Sequence, residues 1–169
     1  MKKLCTIVLA IGLLSISCDD KKKDLTAQYD VLMSETEKME IAHEKFEKTH
    51  EALVTEHRTF KEDSKTMTVQ DSTVFEDLAK HDVILKRHDA IISSHATLIE
   101  GHKELKADFD GMNEAGMEAQ IEAMQKDHDK MMEEHETMEK EHQTMVDEHK
   151  GIMEKMKQME DANTDDDQM

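Results

Sequence analysis

The chain has 169 residues, with 40 Asp and Glu against 22 Lys and Arg, a formal net charge of −18, eleven histidines, fifteen methionines and no proline or tryptophan. Such an excess of negative charge repels nucleic acid and anionic lipid headgroups, so neither is expected as a partner. With 37% charged residues, disorder is a serious alternative, and only a sustained apolar period argues against it.

Residues 1–17, MKKLCTIVLAIGLLSIS, carry two lysines and then a short apolar run closed by small residues, the pattern of a secretory signal and too short for a stable span. Leu14-Ser15-Ile16-Ser17-Cys18 resembles the lipobox of bacterial lipoproteins, in a loose form similar to that of the Bacteroidota, with leucine one place before its usual position. The resemblance implies that Cys18 becomes an acylated N-terminus and anchors the chain in a membrane, each buried methylene contributing roughly 0.8 kcal/mol. The other reading of the same residues is a plain secretory signal with Cys18 unmodified. If Cys5 leaves with the signal and Cys18 is acylated, no thiol remains for disulfide or catalytic chemistry. Residues 18–24 then form a tether, and the expected location is the cell envelope, at the outer membrane, on its periplasmic or its surface face.

Beyond the tether, the histidines fall into three sets at seven-residue spacing: His43, His50, His57; His81, His88, His95, His102; and His128, His135, His142, His149. With each at heptad position a, position d holds Leu25, Leu32, Met39, Phe46, Leu53 and Phe60 in the first set. It holds Ile84, Ile91, Leu98 and Leu105 in the second, with Leu85, Ile92 and Ile99 widening the stripe at e. In the third it holds Met117, Met124, Met131, Met138, Met145, Ile152 and Met159. Heptads of this length predict a coiled coil. The pattern breaks at TVQDST (68–73) and GMNEAG (111–116), which predicts three helices at about 25–67, 74–112 and 115–160, followed by a disordered acidic tail at 161–169. The expected fold is all-α, an up-down-up antiparallel three-helix bundle.

Antiparallel packing sets a level with d. Folding at the two breaks therefore predicts His43 opposite Leu98, His50 opposite Ile91 and His57 opposite Ile84, with His81 opposite Met145, His88 opposite Met138 and His95 opposite Met131. The outer helices would then align His43 with His128, His50 with His135 and His57 with His142. Buried imidazoles need partners, since an unsatisfied buried polar group costs about 1–3 kcal/mol. The acidic residues before them at g (Glu56, Asp127, Glu134, Glu141, Glu148) and facing histidines are available. On this reading His43, His50, His57, His81, His88, His95, His102 and His149 form a polar core seam that specifies register.

The third helix adds His128/Met131, His135/Met138 and His142/Met145 at i, i+3. Thioether with imidazole is a soft ligand set, and His-x-x-Met over 124–149 is similar to motifs of periplasmic silver- and copper-binding proteins, which implies Cu(I) or Ag(I). Methionine as a plain filler of d is the other reading. Cross-helix pairs such as His50/His135 offer Zn(II) or Ni(II) a site that a carboxylate or water would complete. Histidines seven apart on one helix are ~10.5 Å apart, too far to share an ion. Glu40-x-x-His43, Glu47-x-x-His50 and Glu139-x-x-His142 match the Glu-x-x-His of di-iron bundles, which also require further inward glutamates. With no HExxH, phosphate loop or serine elbow, no catalysis and no resident cofactor is expected. Burial should also make the histidines sensitive to acid. The expectation is a membrane-anchored, non-enzymatic helical module of the bacterial envelope, structural or bound to another envelope protein, with metal binding as the alternative.

Overall fold

A computed structural model describes the backbone of residues 18–66 and 72–166, and the side chains of 20–66 and 72–159. Residues 1–17, expected to be a signal segment, the side chain of Cys18, residues 67–71 and the last three residues lie outside the described residues. Three helices account for nearly all of the rest: α1 (Cys18–Thr66), α2 (Ser72–Phe109) and α3 (Glu114–Asp166). Each packs against the other two, as an up-down-up three-helix bundle requires. No helix among the described residues is long and apolar enough to cross a membrane.

The helix ends have local causes. Helix α1 is described from seven residues before Leu25, and its first lysines find partners beside the α2–α3 turn. Lys22 Nζ donates to the Asp110 carbonyl at 2.9 Å, and Lys21 lies 2.9 Å from Glu118 and 3.7 Å from Glu114. Between α2 and α3 the chain turns through two i→i+3 bonds, Gly111 N to Asp108 O and Met112 N to Phe109 O. Asn113 then caps α3, its Oδ1 accepting from Gly116 N at 2.8 Å, the usual way of satisfying an orphan donor of the first turn. A Cβ on Gly116 would sit 3.3 Å from that same oxygen, so glycine keeps the cap uncrowded. Helix α3 runs on past Glu160 to Asp166, a stretch with no Gly or Pro to stop it.

Inside, α1 and α3 turn a and d to the core, as the heptads predict, with Met39, Phe46, Phe60, His135, Ile152 and Met159 half-buried, but α2 departs from the pattern. Its buried positions are the histidines together with Leu78, Leu85, Ile92 and Ile99, four residues after or three before each histidine, while Ile84, Ile91 and Leu98 are only half-buried. In heptad terms the histidines of α2 occupy d. The rule that antiparallel neighbours set a level with d still holds, and it now brings histidine level with histidine.

His57 therefore meets His81 rather than Ile84, a change of three residues, and His81 meets His149 rather than Met145, a change of four. Together these slide α3 by one whole heptad along α1. The partners of His43, His50 and His57 on α3 are His135, His142 and His149, not His128, His135 and His142. The expected layers mixing histidine with aliphatic residues are replaced by all-histidine layers alternating with apolar ones.

Apolar clusters close both ends of the rod. Near the α2–α3 turn, Tyr29 stacks on Phe109 with ring centroids 3.8 Å apart, among Leu25, Leu32, Met117, Ile121 and Met124. At the other end Val74, Leu78 and Met156 pack with Phe60, Ile152 and Met159. Between them lies a smaller cluster of Leu53, Leu85 and Met145. Full burial of each such side chain contributes about 1.5–3 kcal/mol, so cohesion resides mainly in these layers and the histidines punctuate them.

Candidate metal centre

Three successive layers each bring one histidine from every helix together: His43/His95/His135, His50/His88/His142 and His57/His81/His149. In each, one ring nitrogen per residue lies within 4.8 Å of the other two. The layers are a heptad apart, ~10.5 Å along the axis. In the middle layer His142 Nε2 faces His50 Nδ1 at 3.0 Å and His88 Nδ1 at 3.1 Å. His149 Nε2 faces His57 Nδ1 at 3.0 Å and His81 Nδ1 at 3.3 Å. His135 Nε2 faces His43 Nδ1 at 3.3 Å and His95 Nδ1 at 3.2 Å. For comparison, three imidazoles on a tetrahedral ion at about 2.0–2.1 Å have nitrogens ~3.3–3.4 Å apart.

The outward nitrogens explain which way the lone pairs point. His50 Nε2 lies 2.9 Å from Asp89 and His88 Nε2 lies 2.6 Å from Glu141. His57 Nε2 is 3.0 Å from Asp82, His81 Nε2 is 2.5 Å from Glu148, and His95 Nε2 is 2.7 Å from Glu134. A carboxylate only accepts, so each of these Nε2 atoms carries a proton, and in a neutral ring the paired Nδ1 turns a bare lone pair to the axis. Three of the acidic g residues of α3 thus serve the α2 histidines of the triads, among the partners the sequence suggested. Asp82 and Asp89, which follow His81 and His88 on α2, are the partners that sequence reasoning missed.

With neutral rings, two lone pairs in the His50/His88/His142 layer and two in the His57/His81/His149 layer then face a single α3 nitrogen that carries at most one proton, so those imidazoles cannot satisfy one another fully. A cation at the axis would accept all three lone pairs at once. The outer carboxylates would then hold the rings as carboxylate–histidine–metal relays. Burial, followed by proximity to two neighbouring histidines, pushes His135, His142 and His149 down to about 4. His43, His57 and His88 are also lowered, chiefly by burial, so near neutral pH these six rings are neutral and competent as ligands.

The fourth histidine layer lacks the third ring. Thr36 stands where α1 would supply it, its hydroxyl donating to the Leu32 carbonyl at 3.0 Å and facing His128 Nε2 at 3.0 Å. His102 Nε2 lies 3.2 Å from Asp127, while the Nδ1 atoms of His102 and His128 are buried with no hydrogen-bond partner. The Glu35 carboxylate is 3.6 Å from His128 Nδ1.

Of the residues singled out from sequence, His135 and His142 lie in triads and His128 does not. His43, His50, His57, His81, His88, His95 and His149, expected as a seam with cross-helix pairs as a harder-metal alternative, are triad members. The pair His50/His135 is not formed, because the heptad slide gives His50 to His142. Met131, Met138 and Met145 are each about 1% exposed, and Met145 packs between Leu53 and Leu85 in an apolar layer. The Glu-x-x-His sets do not converge: Glu47 and Glu139 are exposed and Glu40 pairs with Lys103 at 2.5 Å. An open groove between α1 and α3, lined by Phe46, Met132, His135 and His142 among others, reaches two triads. No family model matches this chain, and no curated protein or solved structure matches it.

Proposed function

We propose that this protein binds transition-metal ions in a file of tri-histidine sites along the axis of a lipid-anchored, non-enzymatic helical rod of the bacterial cell envelope. One observation carries the reading: in three consecutive layers the inward nitrogens of three helices converge, while carboxylates hold the outer nitrogens of five of those rings. A set of three neutral imidazoles suits borderline ions such as Zn(II), Ni(II) and copper. The soft-ion version, Cu(I) or Ag(I) on His-x-x-Met, has less support, since the Nε2 atoms of His135 and His142 turn to histidines of the other helices. Anchoring through Cys18 rests on the lipobox resemblance, and mass spectrometry of the N-terminal peptide from membranes tests it.

The experiment is calorimetric titration of the purified protein with Zn(II), Cu(I) and Ag(I) at pH 7, alongside a variant with Met131, Met138 and Met145 all replaced by leucine. Saturable Zn(II) binding retained by the triple variant supports the tri-histidine file. Binding only of soft ions, lost in that variant, transfers the function to His-x-x-Met. No binding of any ion leaves a structural or interaction rod whose histidines set register, the reading favoured by the packing of Met145 among aliphatic residues.

A further inference from the structure

The three triads have the same inner ligands but different surroundings. Around His50/His88/His142 two carboxylates hold outer nitrogens, Asp89 on His50 and Glu141 on His88. Around His57/His81/His149 the same two roles fall to Asp82 and Glu148. Around His43/His95/His135 only one is filled, by Glu134 on His95. The heptad position that supplies Asp82 and Asp89 is occupied there by Ala96, which is exposed. Each layer also has one cation beside its carboxylates, Lys61 on Asp82, Arg87 on Glu141 and Lys130 at 3.7 Å from Glu134. The layers therefore differ by one carboxylate hydrogen-bonded to an outer nitrogen. Glu44 and Glu47 on α1 also act on His43, through space and with no hydrogen bond to its ring.

Resting on the tri-histidine reading, we infer that the file is graded: His50/His88/His142 and His57/His81/His149 are the retentive sites, and His43/His95/His135 is the exchange site, last to fill and first to empty. Two effects combine. A carboxylate on the outer N–H raises the basicity of the ligating nitrogen and locks the ring, and losing such a partner lowers metal affinity about 10- to 100-fold. Access acts in the same direction. His135 is the one half-buried member of the three triads. The exchange site also stands nearest the Cys18 end of the rod.

The test is titration of the full chain with Zn(II) at pH 7.5 against a competing chelator. Two tight equivalents and one weaker by about 10- to 100-fold are expected. His43→Gln should delete only the weak step. Ala96→Asp, which restores the missing carboxylate at an exposed helical position, should tighten the weak step by a similar factor, and Ala96→Asn should do less. Asp89→Asn should turn one tight step into a second weak one. Three equal sites in the natural sequence, or a weakest step that Ala96→Asp leaves unchanged, overturn the grading while leaving the file intact. No Zn(II) binding at all overturns the file and the grading with it.

Discussion

Acidification of the metal-free protein should unfold it. The imidazoles of His135, His142 and His149 are held down to about 4 by burial and by their histidine neighbours, whereas in the unfolded chain they titrate near 6.5. Between these values the unfolded state binds protons that the folded state refuses. Stability is therefore complete above about pH 6.5 and falls as the pH drops toward 4. At pH 5 the linkage amounts to about 2 kcal/mol for each ring and about 6 kcal/mol for the three. That is comparable with the whole stability of an ordinary domain, about 5–15 kcal/mol.

The groups facing the three rings set the size of the effect. Glu134, Glu141 and Glu148 favour protonation, while the triad partners of each ring oppose it. The assay is urea denaturation followed by circular dichroism at 222 nm, with chelator present, at intervals from pH 7.5 to pH 5. A folding free energy unchanged across that range would refute the reasoning, because it would mean that the rings are hydrated or already charged in the folded state.

Three further outcomes are expected. Zn(II) at a hundredfold excess over its dissociation constant should stabilise the folded chain by about 2.7 kcal/mol per site and raise the thermal midpoint, a shift that chelator reverses and calorimetry measures. Thr36→His places a third ring level with His102 and His128, and atomic absorption after dialysis against Zn(II) should show one added equivalent. Met145→Ala opens a cavity between Leu53 and Leu85 and should cost about 2–5 kcal/mol in denaturant titration, whereas Met145→Leu should cost less than about 1.5 kcal/mol.

Much of this molecule is legible in its heptads. The eleven histidines at strict spacing, the apolar d positions and the two broken stretches are enough to predict three helices, their order and an antiparallel bundle, because a seven-residue apolar period leaves the chain few other ways to bury its stripe. Glu134, Glu141 and Glu148 could also be nominated as histidine partners from position g alone. The phase of α2 could not. Ile84 and Leu85, Ile91 and Ile92, Leu98 and Ile99 are adjacent apolar pairs, so the stripe is wide enough to face the core through either d or e, and pattern does not choose between them.

Packing chooses. Burying Leu78, Leu85, Ile92 and Ile99 rotates α2 so that its histidines move from a to d, and antiparallel geometry then stacks all three histidine rows in common layers. That rotation separates a polar seam from a set of converging ligands. It also brings Asp82 and Asp89, unremarkable surface acids in the sequence, onto the outer nitrogens of His57 and His50. The sequence by itself determined the bundle and the histidine period, because both follow from local periodicity. Only the tertiary structure decided which histidines meet, because a three-residue and a four-residue change at the two hairpins add to a full heptad, an offset to which a seven-residue repeat is blind.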